Sequence, residues 1–270
     1  FCLAALVAAR EGVPNVLSLE RIEARAAVRA IQANDLQKHI QVLQGHFEQI
    51  SVENLPQDDG SERKALLVVA EPSYTQLHYW PHLEALQLYY IIRGLSRRLG
   101  TTWSIRATPE RARIMAAAIQ APELTKAYGP CHSLNEKYKL DHAHVNEQYY
   151  AGFSDREISL SIWQYEFDML TDPFEVFTLP YSGTSVDVSV SESTNHPFVK
   201  AGICHGAVVW VVYEFSDGST IHSNCPSTLG TRQAVYLWEE GVQVDQSDAR
   251  GFESVWDTRT EAFSWRIVSP

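Results

Sequence analysis

The amino-acid sequence predicts an α/β fold in which a doubly wound, mostly parallel sheet is followed by an all-β domain. Helical and strand patterns alternate within the first hundred residues, as they do in βαβ units. From about residue 103 onward the patterns are those of short strands, which favours a barrel or a sandwich. We therefore expect one domain over residues 1–105 and a second over residues 106–270.

The first half contains three predicted helices and three predicted strands. The helices are expected at 2–10, 23–33 and 82–99, and the strands at 16–19, 40–43 and 65–70. Gly12 and Pro14 end the first helix, which we interpret as one whose preceding strand and turn are absent. The apolar run at 65–70 is typical of a central parallel strand that is buried on both faces.

The second half is predicted to consist mainly of strands. They are expected at 103–106, 112–120, 158–163, 174–179, 186–190, 207–215, 234–238 and 263–268. Asp217-Gly218 is a tight-turn dipeptide. Residues 121–155, rich in Tyr, His and charge, interrupt this pattern as an insertion that is either an ordered helical arm or a mobile loop.

Composition excludes several classes of function. The formal net charge of −11 argues against direct binding of nucleic acid, which requires basic patches. No apolar run reaches the roughly 20 residues that a membrane-spanning helix needs. The four cysteines are scattered, which favours a reduced, intracellular protein. We expect a cytoplasmic and also nuclear location.

Three glutamates follow predicted strands of the first half, and each has a structural alternative. Glu20 stands where doubly wound folds place an acidic residue that binds ribose hydroxyls, but it could equally cap the next helix. Glu48 could meet an adenine amino group or be a surface residue. Glu71 ends the run at 65–70 and points into any cleft, unless it is a buried carboxylate bonded to the following loop.

The cysteines and histidines do not predict a metal site. Cys131-His132, Cys204-His205 and the pair His222 and Cys225 lie in separate segments. Structural zinc normally shows a local pair of ligands, and His222-x-x-Cys225 is the one pair with that spacing. We expect small buried cysteines and surface histidines instead of a metal centre.

Six segments spread over the chain follow one known pattern in matching order. They are 3–12, 16–20, 40–48, 67–72, 209–215 and 232–237. These segments resemble the protein arginine methyltransferases: the region after the first glycine motif, the nucleoside-binding segment, the start of the acidic substrate loop and two barrel strands. The resemblance covers nearly the whole chain.

The resemblance implies a fold, a cofactor and a substrate class. The implied fold is a Rossmann-like methyltransferase domain followed by a β-barrel with an arm at about 121–155. S-adenosylmethionine is the implied cofactor, and Glu20 and Glu48 match positions that contact it. Glu71 matches the first of two glutamates that grip the substrate guanidinium through charge-assisted hydrogen bonds. Histones and other arginine-rich proteins, monomethylated by the complete enzyme, are the implied substrates.

The sequence departs from the family pattern at three places. Trp80 stands where the second glutamate is expected, and an indole cannot bind a guanidinium through bidentate, charge-assisted hydrogen bonds. Leu229-Gly230-Thr231 replaces the family's Thr-His-Trp motif. The glycine-rich turn that holds the cofactor is absent, and so is the helix that covers it. We therefore expect no catalysis and no bound cofactor, with Glu71 a remnant and Glu20 and Glu48 vestigial.

Segments 71–74, 162–165 and 232–236 are most similar to the second module of family members that carry two modules in one chain. The implied partner is the N-terminal catalytic module of the same chain, on which this module packs to imitate a homodimer. A scaffold that binds proteins without methylation remains a rival. An active small-molecule methyltransferase is a third possibility, which predicts that the chain binds S-adenosylmethionine.

Overall fold

A computed structural model describes most of the chain in two compact units. The described residues are 2–20, 22–46, 49–51, 53, 55, 64–70, 81–129, 133–151, 158–181, 195–223, 232–246, 250–257 and 262–268. The first unit comprises Phe1–Ala70, Tyr89–Thr108 and Ser182–Ser185. The second comprises Glu71–Leu88, Pro109–Tyr181 and Val186–Pro270.

The helices and strands of these ranges follow the predicted order closely. The helices are α1 (Leu3–Arg10), α2 (Ala24–Ala33), α3 (Pro81–Leu99), α4 (Pro122–Tyr128), α5 (Ser133–Tyr138) and α6 (Ala143–Ala151). The strands are β1 (Val16–Glu20), β2 (Ile40–Gln44), β3 (Lys64–Val69), β4 (Trp103–Thr108), β5 (Arg111–Gln120), β6 (Ile158–Leu160), β7 (Asp168–Met169), β8 (Phe174–Pro180), β9 (His196–Pro197), β10 (Gly202–Glu214), β11 (Thr220–His222), β12 (Gln233–Val244), β13 (Gly251–Asp257) and β14 (Ala262–Val268).

The strands of the first unit pair in parallel, as the alternation of helices and strands predicts. They include β4, so the assignment of the strand at 103–106 to the strand-rich second half is wrong. β1 pairs with β2 in register from Val16↔Ile40 to Glu20↔Gln44. β3 pairs with β4 from Lys64↔Trp103 to Val69↔Thr108. Parallel neighbours need a crossover connection, and the helices α2 and α3 supply it within each pair.

Two hydrophobic clusters hold the first unit together. On one face of the β1–β2 pair, apolar residues of α1 and α2 contact the strands around the buried Ala9, Ile31 and Ile40. On the other face, Leu95 and Leu99 of α3 lie in a cluster that includes residues of all four strands. Because successive residues of a strand point to opposite faces, β1 and β2 contribute to both clusters.

The prediction that the strand at 65–70 is buried on both faces is wrong. Leu66 and Val68 lie in the cluster with α3. The alternate residues face the other way: Leu67 is 60% exposed and Val69 is 47% exposed. A continuous apolar run shows that both faces of a strand tolerate burial. Which face is buried depends on the elements packed on it, and those are set by the tertiary structure.

The second unit contains two antiparallel sheets. The larger has the order β6-β12-β10-β5-β7, with β11 also paired to β10 and β8 to β5. The smaller has the order β14-β13-β9. The long strand β10 lies between β5 and β12, and its residues Cys204 to Tyr213 are buried. Such burial is expected of a central strand with a nearly continuous apolar sequence.

An aromatic cluster joins the two sheets of the second unit. Phe252 of β13 lies 5.7 Å from Trp265 of β14, between ring centroids, and stacks on it. Phe252 also lies 5.9 Å from Trp238 of β12 and 6.2 Å from Phe174 of β8. Phe174 in turn stacks on His196 of β9 at 3.6 Å. The cluster therefore draws residues from both sheets into one core.

The predicted turn at Asp217-Gly218 and the helical form of the arm are both confirmed. The N–H of Phe215 donates to the carbonyl of Ser219 at 3.0 Å, which closes the turn between β10 and β11. Within residues 121–129 and 133–151, the arm consists of α4, α5 and α6. Of the two alternatives for the insertion, these residues adopt the ordered helical one.

Several strand boundaries differ from the predictions. The strand expected at 158–163 ends at Leu160, and a 3₁₀ turn follows over Ile162–Gln164. The reason is a buried side chain: Gln233 Oε1 accepts the N–H of Ile162 at 3.1 Å, in place of a ladder bond. β13 and the short strands β7, β9 and β11 were not predicted. The strand expected at 186–190 lies outside the described residues.

A search for membrane-spanning segments among the described helices finds none that is long and apolar enough to cross a bilayer.

Candidate cofactor and substrate site

The carboxyl ends of β1 and β2 form one edge of the first unit. The two strands are parallel and in register, so Glu20 and Gln44 end them side by side. The N–H of Gly45 extends the pairing by donating to the carbonyl of Glu20 at 3.1 Å. Ligands of doubly wound folds bind outside the carboxyl ends of their strands. The structure therefore places Glu20 at the edge where folds of this kind bind their ligands.

The carboxylate of Glu20 is oriented by a neighbour on its own strand. Ser18 Oγ donates a hydrogen bond to Glu20 Oε1 at 3.1 Å, and Ser18 is buried. The two side chains share a face because strand residues two apart do so. An ionised carboxylate has about four acceptor sites, so this bond leaves capacity for ligand hydroxyls. Glu20 is compatible with binding a ribose.

The alternative that Glu20 caps the next helix is wrong. The N-cap of α2 is Glu23, three residues further on, and its carbonyl accepts the N–H of Ala27 at 3.0 Å. Glu23 makes no capping bond through its side chain. The side-chain partner of Glu20 is Ser18 in its own strand, which leaves its carboxylate at the strand edge.

The N-terminus of α1 lies at the same edge as Glu20. α1 leads through a short turn into β1 and so runs back along it, which brings Cys2 close to the strand end. Burial raises the pKa of the Cys2 thiol, and the negative charge of Glu20 raises it further. A thiol with a raised pKa stays protonated at neutral pH and is a weak nucleophile. Cys2 is accordingly a packing residue of this edge.

The loop after β2 is closed by Gln49. Its Oε1 accepts the N–H of His46 at 3.0 Å, and its own N–H donates to the carbonyl of His46 at 2.9 Å. Gly45 has φ +152°, and a Cβ there would lie 3.0 Å from Gln49 Cδ and overlap its Oε1. A glycine at this position lets the Gln49 side chain fold back over the backbone. Phe47 and Glu48 lie outside the described residues.

The residues that decide whether the substrate grip is intact also lie outside the described residues. This holds for Glu71, for Trp80 and for Leu229-Gly230-Thr231. β3 ends two residues before Glu71. The N–H of Ala70, between them, donates to the carbonyl of Thr108 at 3.1 Å and extends the pairing with β4. The roles of these residues stay predictions from the sequence.

The described cysteines and histidines divide between the core and the surface. Cys204 is buried, as expected, and burial raises the pKa of its thiol to about 12. His205 is also buried, so the expectation of a surface histidine is wrong there. His222 is exposed and contacts Thr220 Oγ1 at 3.2 Å. Among the described residues, no three His, Cys, Asp or Glu side chains lie together as metal ligands would; Cys131, His132 and Cys225 lie outside them.

Sequence reasoning missed two residues of this edge, Ser18 and Gln49. Ser18 has a signal in the sequence, because it lies two residues before Glu20 in a predicted strand and must share its face. Gln49 has no such signal. Its contact with Gly45 depends on the conformation of the loop between them.

Comparison with known proteins gives one consistent family of relatives. No protein-family model matches the chain. Protein arginine N-methyltransferase 7 of Xenopus laevis is 26% identical over 197 residues, which are 72% of this chain and 27% of that protein. The Danio rerio protein of the same name is 24% identical over 78% of this chain and 30% of its own length. The Gallus gallus protein of the same name is 21% identical over 92% of this chain and 37% of its own length. The chain thus spans about a third of the length of these relatives.

Solved structures of the same family share the fold. The Trypanosoma brucei PRMT1 enzyme–prozyme heterotetrameric complex with AdoHcy matches 98% of this chain and 80% of its own, with a TM-score of 0.72 and 12% identity. Arabidopsis thaliana protein arginine methyltransferase 10 matches 97% of this chain and 84% of its own, with a TM-score of 0.61 and 14% identity. A PRMT6 structure matches 98% of this chain and 86% of its own, with a TM-score of 0.58 and 18% identity.

The family resemblance drawn from the six sequence segments and the predicted fold class are both confirmed by these comparisons. The chain has the fold of the protein arginine methyltransferases, and in sequence it is similar to protein arginine N-methyltransferase 7 over most of its length.

Proposed function

We propose that this chain is a non-catalytic module of an S-adenosylmethionine-dependent protein arginine N-methyltransferase. It packs on the catalytic N-terminal module of the same polypeptide and completes a pseudo-dimer. The complete enzyme monomethylates arginine in histones and other arginine-rich proteins. One observation carries the proposal: the chain follows the family pattern over most of its length, yet Trp80 stands where the second guanidinium-binding glutamate is expected.

The chemistry of the substrate grip explains why that replacement removes activity. Two carboxylates bind a guanidinium through parallel charge-assisted hydrogen bonds and hold its nitrogen toward the methyl donor. An indole has a single N–H donor and no acceptor, so Trp80 cannot accept a hydrogen bond from the substrate. Glu71 alone leaves the guanidinium free to rotate away from the reacting geometry.

A cofactor in this module would be held by Glu20 at the ends of β1 and β2. The carboxylate there is oriented by Ser18 and fits a ribose, and Glu48 is the residue that would meet the adenine. S-adenosylmethionine supplies the methyl group when it is bound. We propose that this module binds no cofactor, because a module whose substrate grip is broken at Trp80 has no methyl transfer for the cofactor to serve. Calorimetric titration with S-adenosylmethionine distinguishes this module from a methyltransferase that acts on small molecules.

Two observations support the pseudo-dimer. The arm presents apolar side chains to solvent: Tyr138 and Leu140 are each 58% exposed and Val145 is 52% exposed. Three exposed apolar side chains within eight residues of sequence favour a surface that binds another protein. In addition, the Trypanosoma brucei structure is a complex of an enzyme with a prozyme. A chain that spans about a third of its relatives leaves length in those proteins for another module.

Leu140→Asp should weaken binding of this chain to the separately purified catalytic module at least tenfold, because it buries a charge in an apolar contact. Leu140 is exposed, so the substitution leaves the fold intact. His144→Asp adds the same charge at an exposed polar position of the arm and serves as the control, with an expected change of less than threefold. Calorimetry of the two modules measures both dissociation constants.

An absence of binding by the unsubstituted chain would contradict the pseudo-dimer. Equal binding by the Leu140→Asp variant and the unsubstituted chain would show that the arm is not the contact surface. Binding without any stimulation of methyl transfer would favour the rival function, a scaffold built on a methyltransferase fold.

A further inference from the structure

The arm leaves the barrel at a junction that is held by two side chains. β5 ends at Gln120 and α4 begins at Pro122, with the fully buried Ala121 between them. The N–H of Ala121 donates to His205 Nδ1 at 3.0 Å in a buried environment. Beside it, Gln120 Oε1 accepts the N–H of Ile203 at 2.7 Å. These bonds join the start of the arm to β10.

A bulge in β10 places His205 at this junction. The register of β10 against β12 shifts between Cys204 and Gly206. The regular ladder between β10 and β5 begins at Gly206↔Ile119, so backbone pairing stops at the point where β5 turns into the arm. A bulge commonly re-aims a side chain, and here it turns the imidazole toward the Ala121 N–H. The side chains of His205 and Gln120 thus accept backbone N–H groups where the pairing of the two strands ends.

The Ala121 bond requires the neutral form of His205. An imidazole nitrogen that accepts a hydrogen bond carries no proton, so the proton of the neutral ring is on Nε2. The imidazolium form donates from both nitrogens and cannot accept. Protonation therefore leaves the buried Ala121 N–H without its acceptor and sets two donors against each other.

The surroundings of His205 favour the neutral form. Burial lowers the pKa of His205 below the usual value of 6.5. The adjacent Cys204 thiol is neutral, and on β12 the facing residue is Gly241, where a Cβ would lie 3.1 Å from the imidazole Cδ2. Three carboxylates of the neighbouring elements whose side chains the structure describes are exposed: Glu123 of α4, Asp168 of β7 and Glu240 of β12. Glu123 pairs with Lys126 and Asp168 with Lys200.

We propose that His205 is a pH-sensitive anchor of the arm, whose neutral imidazole fixes the junction at Ala121 and whose protonation loosens it. The stabilisation by this bond is complete above pH 6.5, where histidine is neutral in both the folded and the unfolded chain. This stabilisation is lost as the pH falls through the pKa that His205 has in the folded chain, which burial lowers. α4 keeps its packing, because Leu124 is fully buried in the barrel core, so the loosening is confined to the junction.

Hydrogen exchange of the 270-residue chain tests this anchor at pH 7.5 and at a lower pH at which NMR shows the His205 ring to be protonated and the chain still folded, with rates corrected for the intrinsic dependence on pH. In the unsubstituted chain, the junction amide of Ala121 should exchange roughly tenfold faster at the lower pH. His205→Asn keeps an acceptor near the Nδ1 position and does not titrate, so its corrected rate should be the same at both values. His205→Ala should exchange fast at both.

A matched control comes from a second buried side-chain acceptor in the same sheet. Thr171 Oγ1 accepts the N–H of Ala118 at 3.1 Å and does not titrate, so Thr171→Val should speed exchange of Ala118 equally at both pH values. The proposal is overturned if the corrected rate at Ala121 in the unsubstituted chain does not change with pH. It is equally overturned if His205→Asn shows the same pH dependence as the unsubstituted chain.

Discussion

Gly206→Ala is expected to lower the free energy of unfolding of the second unit by at least about 3 kcal/mol. Gly206 lies at the bulge of β10, with φ +151°, a conformation that residues with a Cβ rarely adopt. A Cβ there would lie 2.8 Å from the carbonyl carbon of Tyr236 and 3.1 Å from Leu237 Cα, and closer still to the Tyr236 oxygen. Since these atoms are backbone of β12, the two central strands must separate locally to admit a methyl group.

The matched control for this substitution is Gly12→Ala. Gly12 also has a positive φ, +88°, but no heavy atom lies within 4 Å of its added Cβ. Its replacement therefore measures the cost of the backbone conformation alone, about 1 kcal/mol. Urea denaturation followed by fluorescence gives both values. Equal losses in the two variants would contradict the role assigned to the close approach of β10 and β12.

Phe252→Ala is expected to cost about 3–5 kcal/mol, since it removes a fully buried ring from the aromatic cluster between the two sheets. Phe252 contacts Trp265 of its own sheet and Trp238 and Phe174 of the larger one. The cavity left by the ring cannot collapse easily, because it is lined by rigid rings from two sheets. Small single domains are stable by only about 5–15 kcal/mol, so this loss brings the second unit close to unfolding.

Two further variants test the cause of that loss. Phe252→Leu keeps most of the buried volume and should cost clearly less than Phe252→Ala. Tyr138→Ala removes an aromatic ring that is 58% exposed on the arm and should change the free energy of unfolding by less than about 0.5 kcal/mol. Comparable losses from Phe252→Ala and Tyr138→Ala would show that the cluster does not stabilise the second unit.

The order of elements could be predicted from the sequence wherever a single pattern repeats along one segment. α2 follows from its apolar spacing, and β1 and β2 follow from short apolar runs between helices. The burial of β3 could not be predicted, because Leu67 and Leu66 are the same residue type on opposite faces. Their difference in exposure depends on which face α3 covers.

The barrel strands were predicted less well than the first unit, and β13 shows why. Its sequence, Gly251–Asp257, includes Glu253, Ser254 and Asp257 among its apolar residues and so has no clear alternation. Glu253 is buried and pairs with Arg266 of β14, 13 residues further along the chain, a contact that depends on the pairing of the two strands. The 3₁₀ turn at Ile162–Gln164 likewise depends on Gln233, 71 residues further along the chain.

The candidate site, too, could be predicted from the sequence only in part. The position of Glu20 at the end of β1 could be predicted, because it depends only on a strand followed by a helix. The contacts that set its environment come from Ser18, Cys2 and the loop closed by Gln49, and the last two require the folded chain. The burial of His205 was predicted wrongly. Gly206 is a local sign of the bulge, but a glycine in a strand does not tell which way the neighbouring side chain turns.

Methyl transfer by the isolated 270-residue chain is the most direct test of the proposed function. The purified chain is incubated with S-adenosylmethionine and an arginine-rich peptide, and mass spectrometry counts the methyl groups added to the peptide. An active protein arginine methyltransferase is assayed in parallel, and cooperative unfolding shows that the chain is folded. We predict no methylated peptide above the level without protein, because Trp80 cannot complete the guanidinium grip begun by Glu71. Repeated turnover by the isolated chain would contradict the account.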